Sequence, residues 1–235
     1  WIWMGDEPAA EKLPLGDWVS NADWPASQQY YHLPASYIAL HENLLDLTHL
    51  SYLHANSFGT PDYASAPYEI DLDDEKGRFA LTRSVVPTRL PPVWGEPTGL
   101  MGRDAARITM SEFLSPAAHV VSAHFYGLDV PEEERGNAGI KTAHLPTPET
   151  ATSTHYFIHH GRNFAQDDPS VTDFMQDQLT VAFTEDVVGL SEVEQMIAAT
   201  PDEDQYEISL ASDRPGLAMR RWIQRKAQCE VSPKP

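Results

Sequence analysis

The sequence predicts an α+β fold, a curved antiparallel β-sheet with long helices packed on one face. Three observations predict it. Strand-like segments follow one another through the middle of the chain, with helical periodicity before and after them. Turn clusters such as Asp73-Asp74-Glu75-Lys76-Gly77 join the strands closely enough for antiparallel pairing. The last third then changes to apolar positions at helical spacing, among them Phe174, Leu179, Phe183, Val187, Leu190 and Met196.

The elements can be placed in order. Residues 7–26, rich in Pro, Ala, Asp and Trp, read as a connecting arm. Residues 28–38 have the aromatic and β-branched content of a strand. From Leu40 the pattern turns helical, with Leu44, Leu47, Leu50 and Leu53 at three- and four-residue steps, until Asn56-Ser57-Phe58-Gly59-Thr60-Pro61 ends it. Residues 68–72 and 79–86 form a hairpin around Gly77. The prolines of 90–97 exclude a central strand, so this stretch is expected to be a loop with Trp94 inside it, a lid or pocket wall. Four more strands are expected over 106–114, 119–128, 139–145 and 152–164. Asp167-Asp168-Pro169-Ser170 starts a long helix, with Pro early and acids in the first turn. A last helix, 216–229, carries Arg220, Arg221, Arg225 and Lys226, cations suited to a helix C-terminus.

Composition narrows the function. The chain has 235 residues, enough for one large core or two small ones. Its 35 acidic against 16 basic residues leave a formal charge of −19, which repels phosphate backbones and anionic lipid. Nucleic-acid and membrane-surface roles are therefore not expected. The single cysteine, Cys229, cannot form an internal disulfide, and no run approaches the roughly eighteen apolar residues of a membrane helix, so a cytoplasmic location is expected. The opening Trp1-Ile2-Trp3-Met4-Gly5-Asp6 reads as the end of a buried strand whose partners ought to precede it, so an upstream domain is expected.

The chemistry is concentrated in residues 43–54. This stretch packs Asn43, Asp46, His49 and His54 among Leu, Thr, Ser and Tyr. Two neutral imidazoles and a carboxylate from elsewhere make a facial triad with open positions, the arrangement of oxygen-activating non-haem Fe(II). Asp46 and His49 share a helical face, but His54 lies roughly 140° further round an ideal helix of about 3.6 residues per turn. Both imidazoles reach one metal only if the helix breaks between Thr48 and His54. A third ligand is offered by Glu185 or Asp186, acids that interrupt an apolar helix face, where a cation would offset the cost of burying a carboxylate.

Asn43-x2-Asp46-x2-His49-x4-His54 resembles the mononuclear-iron motif of Rieske non-haem iron oxygenases, and more narrowly that of the vanillate and dicamba O-demethylase group. The likeness continues along the whole chain. Trp1-Ile2-Trp3 resembles the last strand of the Rieske domain, and Tyr156-Phe157 through Arg162-Asn163-Phe164 a late sheet strand. Phe183-x-Glu185-Asp186 followed by Glu192-x-x-Gln195 resembles the helix bearing the carboxylate ligand, and Arg220-Arg221 the terminal helix.

The resemblance implies a helix-grip-like catalytic domain over residues 27–235, preceded at 1–26 by the remnant of a Rieske strand and its connecting arm. It implies His49, His54 and Asp186 as Fe(II) ligands, Asn43 beside the iron, and Asp46 as the bridge to the [2Fe-2S] Rieske cluster of a neighbouring subunit. It further implies a homotrimer, electrons from NADH through a separate reductase component, and oxygenation or O-demethylation of an aromatic substrate by O2. The family's Cys-x-His and Cys-x-x-His cluster ligands are absent here, so the chain by itself is expected to bind iron without supplying its electrons.

Substrate-pocket candidates follow by placement. His155 and His159 alternate onto one strand face and His160 onto the other. Tyr156, Asn163, Phe58 and Trp94 are further candidates. Two rival readings make different demands. A metal-free pocket for a lipid or small molecule would keep Asp186 far from the histidines. A zinc hydrolase would use the same ligands with a bound water and a nearby general base.

Overall fold

The computed structural model describes residues 15–136 and 138–231. The strand expected over residues 1–3 lies outside the described residues. Among the described residues, seven strands form one antiparallel sheet: β1 (Ala26–Leu33), β2 (Tyr68–Asp73), β3 (Arg78–Thr88), β4 (Ala105–Ser115), β5 (Ala118–Gly127), β6 (Ala138–Thr150) and β7 (Ser153–Arg162). Their order is β1-β7-β6-β5-β4-β3-β2, so strands two to seven are a simple meander and β1 adds to its far edge. Four helices accompany them: α1 (Tyr37–Leu45), α2 (Pro92–Thr98), α3 (Pro169–Ala199) and α4 (Arg214–Val231).

The core lies between one sheet face and the helices. Leu40 and Leu44 of α1, Trp94 of α2, and Met175, Leu179 and Phe183 of α3 meet Ala123, Phe125, Ile140, Tyr156 and Ile158 of the sheet. A second cluster joins α4 to the sheet and α1 through Met219, Ile223, Phe79, Phe113 and Leu45. On the opposite face, Trp18, from a 3-10 turn at Asp17–Ser20, packs beside Ala118 and Ala143.

Local signals explain most boundaries. Asp168 accepts a hydrogen bond from the Ser170 backbone at 3.0 Å with Pro169 following, so the long helix begins as the sequence predicts. Its buried positions Met175, Leu179, Ala182 and Asp186 recur at four- and three-residue steps, which puts a carboxylate on the core-facing stripe.

Three expectations are corrected. The first strand stops at Leu33 and not at Ile38, because Pro34 interrupts it and Ser36 N-caps α1 through the Ala39 amide at 3.1 Å. The helix expected to run from Leu40 until the Asn56–Pro61 turn cluster ends at Leu45. Asp46 turns the chain (φ −95°, ψ 94°), a 3-10 segment follows over Leu47–Ser51, and turns continue past His54. The break thus comes two residues earlier than expected. Residues 92–98, expected as a loop, form the short helix α2: Pro92 occupies its first turn, where no N–H is needed, and Gly99 closes it at φ 69°.

Candidate metal centre

The segment 46–66 crosses the mouth of the core, and buried arginines on neighbouring strands fix it. Arg83 of β3 donates to the carbonyls of Tyr63 at 2.6 Å and Ala66 at 3.1 Å, and to Thr48 Oγ1 at 2.9 Å. Arg107 of β4 donates to the Phe58 carbonyl at 2.8 Å, its guanidinium lying 4.6 Å from the Tyr63 ring centre. Hydrogen bonds from a charged donor contribute about 1.5–3 kcal/mol each, so these side chains tie the segment to the sheet. Gly59 makes the final turn possible. A Cβ there would lie 1.7 Å from the Leu50 carbonyl oxygen, while its amide donates to the His54 carbonyl at 2.9 Å.

This path brings His49 and His54 against α3. His54 Nε2 lies 3.2 Å, and His49 Nε2 3.7 Å, from Asp186 Oδ1. The imidazoles meet nearly edge to face, centroids 5.1 Å apart. Asn43, from the last turn of α1, donates its amide to the same Asp186 oxygen at 2.9 Å. The far nitrogens are held as well. His49 Nδ1 donates to the Asp46 carbonyl, and His54 Nδ1 to Glu185 Oε2 at 2.8 Å. Both imidazoles therefore keep Nε2 for the shared centre.

One atom from each of His49, His54 and Asp186 falls within 4.8 Å of the others. Ligands at about 2.1 Å from one ion are separated by roughly 3.0–3.4 Å, so a contraction of about 1–2 Å in the widest pair lets one cation join all three. The donor set suits Fe(II). Two imidazoles and one carboxylate leave coordination positions open, and nearly closed burial of Asp186 favours a cation opposite it.

Asp186 and the two imidazoles shift one another's titration. Burial pushes the Asp186 carboxyl up, but the hydrogen bond from His54 and the charges of His49 and His54 outweigh it and hold the group below its ordinary range. Burial also opposes charge on His54, yet Asp186 and Glu185 together raise it above the usual imidazole value. His49 is lowered, burial exceeding the pull of Asp186.

Beside the three donors lies a narrow, partly open cavity. Its walls are mostly apolar, with Phe58, Trp94, Val121 and Leu179 among them, and Arg107, Thr109, Thr142 and His144 as its polar groups away from the donors. Phe58 and Trp94, two of the sequence candidates, line this cavity. Tyr156 is fully buried behind it and hydrogen-bonds His144 Nδ1. His155 and His159 are on the other sheet face. His155 pairs with the Tyr30 hydroxyl at 2.9 Å, and His159 contacts Trp18. Strand β7 buries residues 154, 156, 158 and 160, so of the three histidines only His160 faces inward, bonded to Thr142 Oγ1 at 2.7 Å. Asn163 borders a separate groove beyond the strand end and accepts from the Gly139 amide at 2.7 Å.

Asp46 caps the 3-10 segment, accepting from the Thr48 amide at 2.8 Å. Together with Asn43 it also borders a second, more open groove between α1 and α4, where Glu42, Glu207 and Arg220 form an ion-paired wall. Sequence reasoning missed the positions of Arg107, His144, Ser57 and the Glu185–His54 contact. Arg107 and His144 occupy inward positions of strands, and that alternation was the available signal. Among the described residues no helix is long and apolar enough to cross a membrane.

Comparison with known proteins places this chain in a family. The sequence profile of the vanillate O-demethylase oxygenase C-terminal domain matches residues 33–228. The iron-sulfur subunit of the toluene-4-sulfonate monooxygenase system of Comamonas testosteroni is 30% identical over 230 residues, covering 95% of this chain and 65% of that protein. A vanillate O-demethylase oxygenase subunit from a Pseudomonas species is 28% identical, covering 98% and 71%. The chain spans 65% of the length of the first two curated relatives it matches. The crystal structure of dicamba monooxygenase bound to dicamba superimposes with a TM-score of 0.84 at 22% identity, over 99% of this chain and 68% of that one, a likeness of fold.

Proposed function

The chain belongs to the vanillate O-demethylase oxygenase C-terminal domain family, the catalytic domains of Rieske oxygenases, and from that premise we propose that residues 27–235 form a mononuclear iron domain that oxygenates an aromatic substrate. The observation that carries this reading is the approach of His54 and His49 Nε2 to one oxygen of buried Asp186, at 3.2 and 3.7 Å. A metal-free binding module would keep that carboxylate apart from the imidazoles.

In this reading His49, His54 and Asp186 would hold Fe(II), which would supply a redox centre for the use of dioxygen. The residues around it have separate tasks. Asn43 keeps one Asp186 oxygen directed at the ligand imidazoles. Phe58, Trp94 and Leu179 exclude water and accept an aromatic ring, while Arg107 and His144 orient polar substituents. Oxidative demethylation of a methyl ether takes up O2, two electrons and two protons, and yields a phenol, formaldehyde and water. Ring hydroxylation fits the same site.

Electrons are proposed to come from NADH through a reductase to a Rieske [2Fe-2S] cluster on a neighbouring subunit of a cytoplasmic homotrimer. Asp46, which borders the groove between α1 and α4 three residues from His49, is the proposed bridge to that cluster. The test is anaerobic Fe(II) loading, then a screen of aromatic methyl ethers with the full-length oxygenase and its reductase, read as formaldehyde release. Stoichiometric iron with formaldehyde from one substrate class supports the proposal. Absence of tightly held iron after loading would refute it.

A further inference from the structure

Two consecutive carboxylates on α3 grip opposite sides of one imidazole. Asp186 lies on the core-facing stripe and reaches His54 Nε2. Glu185, about 100° round the helix from it, reaches Nδ1 at 2.8 Å. A carboxylate can only accept, so Nδ1 carries the hydrogen in this contact. The same Glu185 oxygen takes the Ser57 hydroxyl at 2.7 Å, and Ser57 also touches the His54 carbonyl at 3.3 Å. Glu185 is therefore held in place by the turn that follows His54, and its geometry does not depend on an exposed rotamer.

We propose that Glu185 is a positioning residue of the metal centre: by accepting Nδ1–H it fixes the tautomer and ring orientation of His54, so that Nε2 is the ligand atom. This rests on the metal reading above and adds to it a residue that binds no metal. His49 provides an internal contrast, because its Nδ1 is held by a neutral backbone carbonyl, that of Asp46. A carboxylate in the same position makes the imidazole a stronger donor to a cation, and removing such a partner generally costs 10–100-fold in metal affinity. The asymmetry assigns the stronger donor role to His54.

The experiment uses this chain, with Zn(II) as a diamagnetic probe and Fe(II) for affinity. Long-range proton–nitrogen NMR on the Zn(II)-loaded wild type reads the His54 tautomer directly. Nδ1 protonated and Nε2 on the metal is expected, and the reverse overturns the proposal without any variant having to fold. Glu185→Ala is expected to weaken Fe(II) binding about 10–100-fold and to loosen the His54 tautomer while leaving the His49 signals in place. Glu185→Gln, whose amide oxygen can still accept from Nδ1, is expected to recover part of the loss, the part owed to positioning and not to charge. Unchanged affinity in Glu185→Ala overturns the role. So does an equal loss in Gln and Ala, because charge alone would then be what Glu185 contributes. A wild type that takes up neither ion fails at an earlier step, the metal reading itself.

Discussion

Asn43 and Asp186, 143 positions apart in sequence, share a 2.9 Å hydrogen bond at the oxygen that faces the imidazoles of His49 and His54. The bond joins the end of α1 to the middle of α3 and links the short motif to its distant carboxylate. Removing it in Asn43→Ala leaves Asp186 one donor short in a buried setting. The expected cost to the metal-free protein is about 1–3 kcal/mol, accompanied by weaker metal binding. Chemical denaturation and metal titration measure both. Wild-type values in both would show that the amide is incidental.

His49→Ala should abolish stoichiometric Fe(II) binding, since two donors remain where three converge. His155→Ala should retain full stoichiometry, because His155 is on the other sheet face, next to Tyr30. Iron analysis of the two proteins after identical anaerobic loading separates them. Equal iron in both would overturn the ligand assignment.

Asp46 combines a structural task with its proposed electronic one, so two substitutions are needed. Asp46→Ala removes the cap on the Thr48 amide, with an expected loss of about 0.5–2 kcal/mol. Asp46→Asn keeps an oxygen at that position. In the full-length enzyme both should retain iron and lose product formation from pre-reduced clusters in a single turnover. Normal single-turnover yield in Asp46→Ala would end the bridging assignment.

Acid should destabilise the fold before carboxylates titrate. Burial pushes His41 down to about 4, and His144 and His160 to about 3. In the unfolded chain each titrates near about 6.5. Between those limits the unfolded state binds more protons, about three more at pH 5 from these side chains, so stability falls as pH drops through that window. Above neutrality they add no slope, being uncharged in both states. Denaturation midpoints at pH 7, 6 and 5 read the effect, and a flat profile would contradict it.

The sequence alone determined what depends on neighbours a few residues away. Strand alternation, the Gly77 hairpin, the Asp168-Pro169 helix start and the apolar spacing of the long helix are local, and the antiparallel sheet with its helices followed from them. The spacing of His49 and His54 also required that the helix be interrupted, because five residues cannot keep two imidazoles on one face. What only the tertiary structure decided was which way each element turns. Pro34 and Ser36 moved a strand end, and the rotation of α3 separated Asp186, pointing at the imidazole Nε2 atoms, from Glu185, pointing at Nδ1. The packing of β7 turned His160 inward and left His155 and His159 outside. The physical reason is range. Periodicity and capping act within a turn or two of chain, whereas facing direction is set by the summed packing of surfaces brought together from positions more than a hundred residues apart.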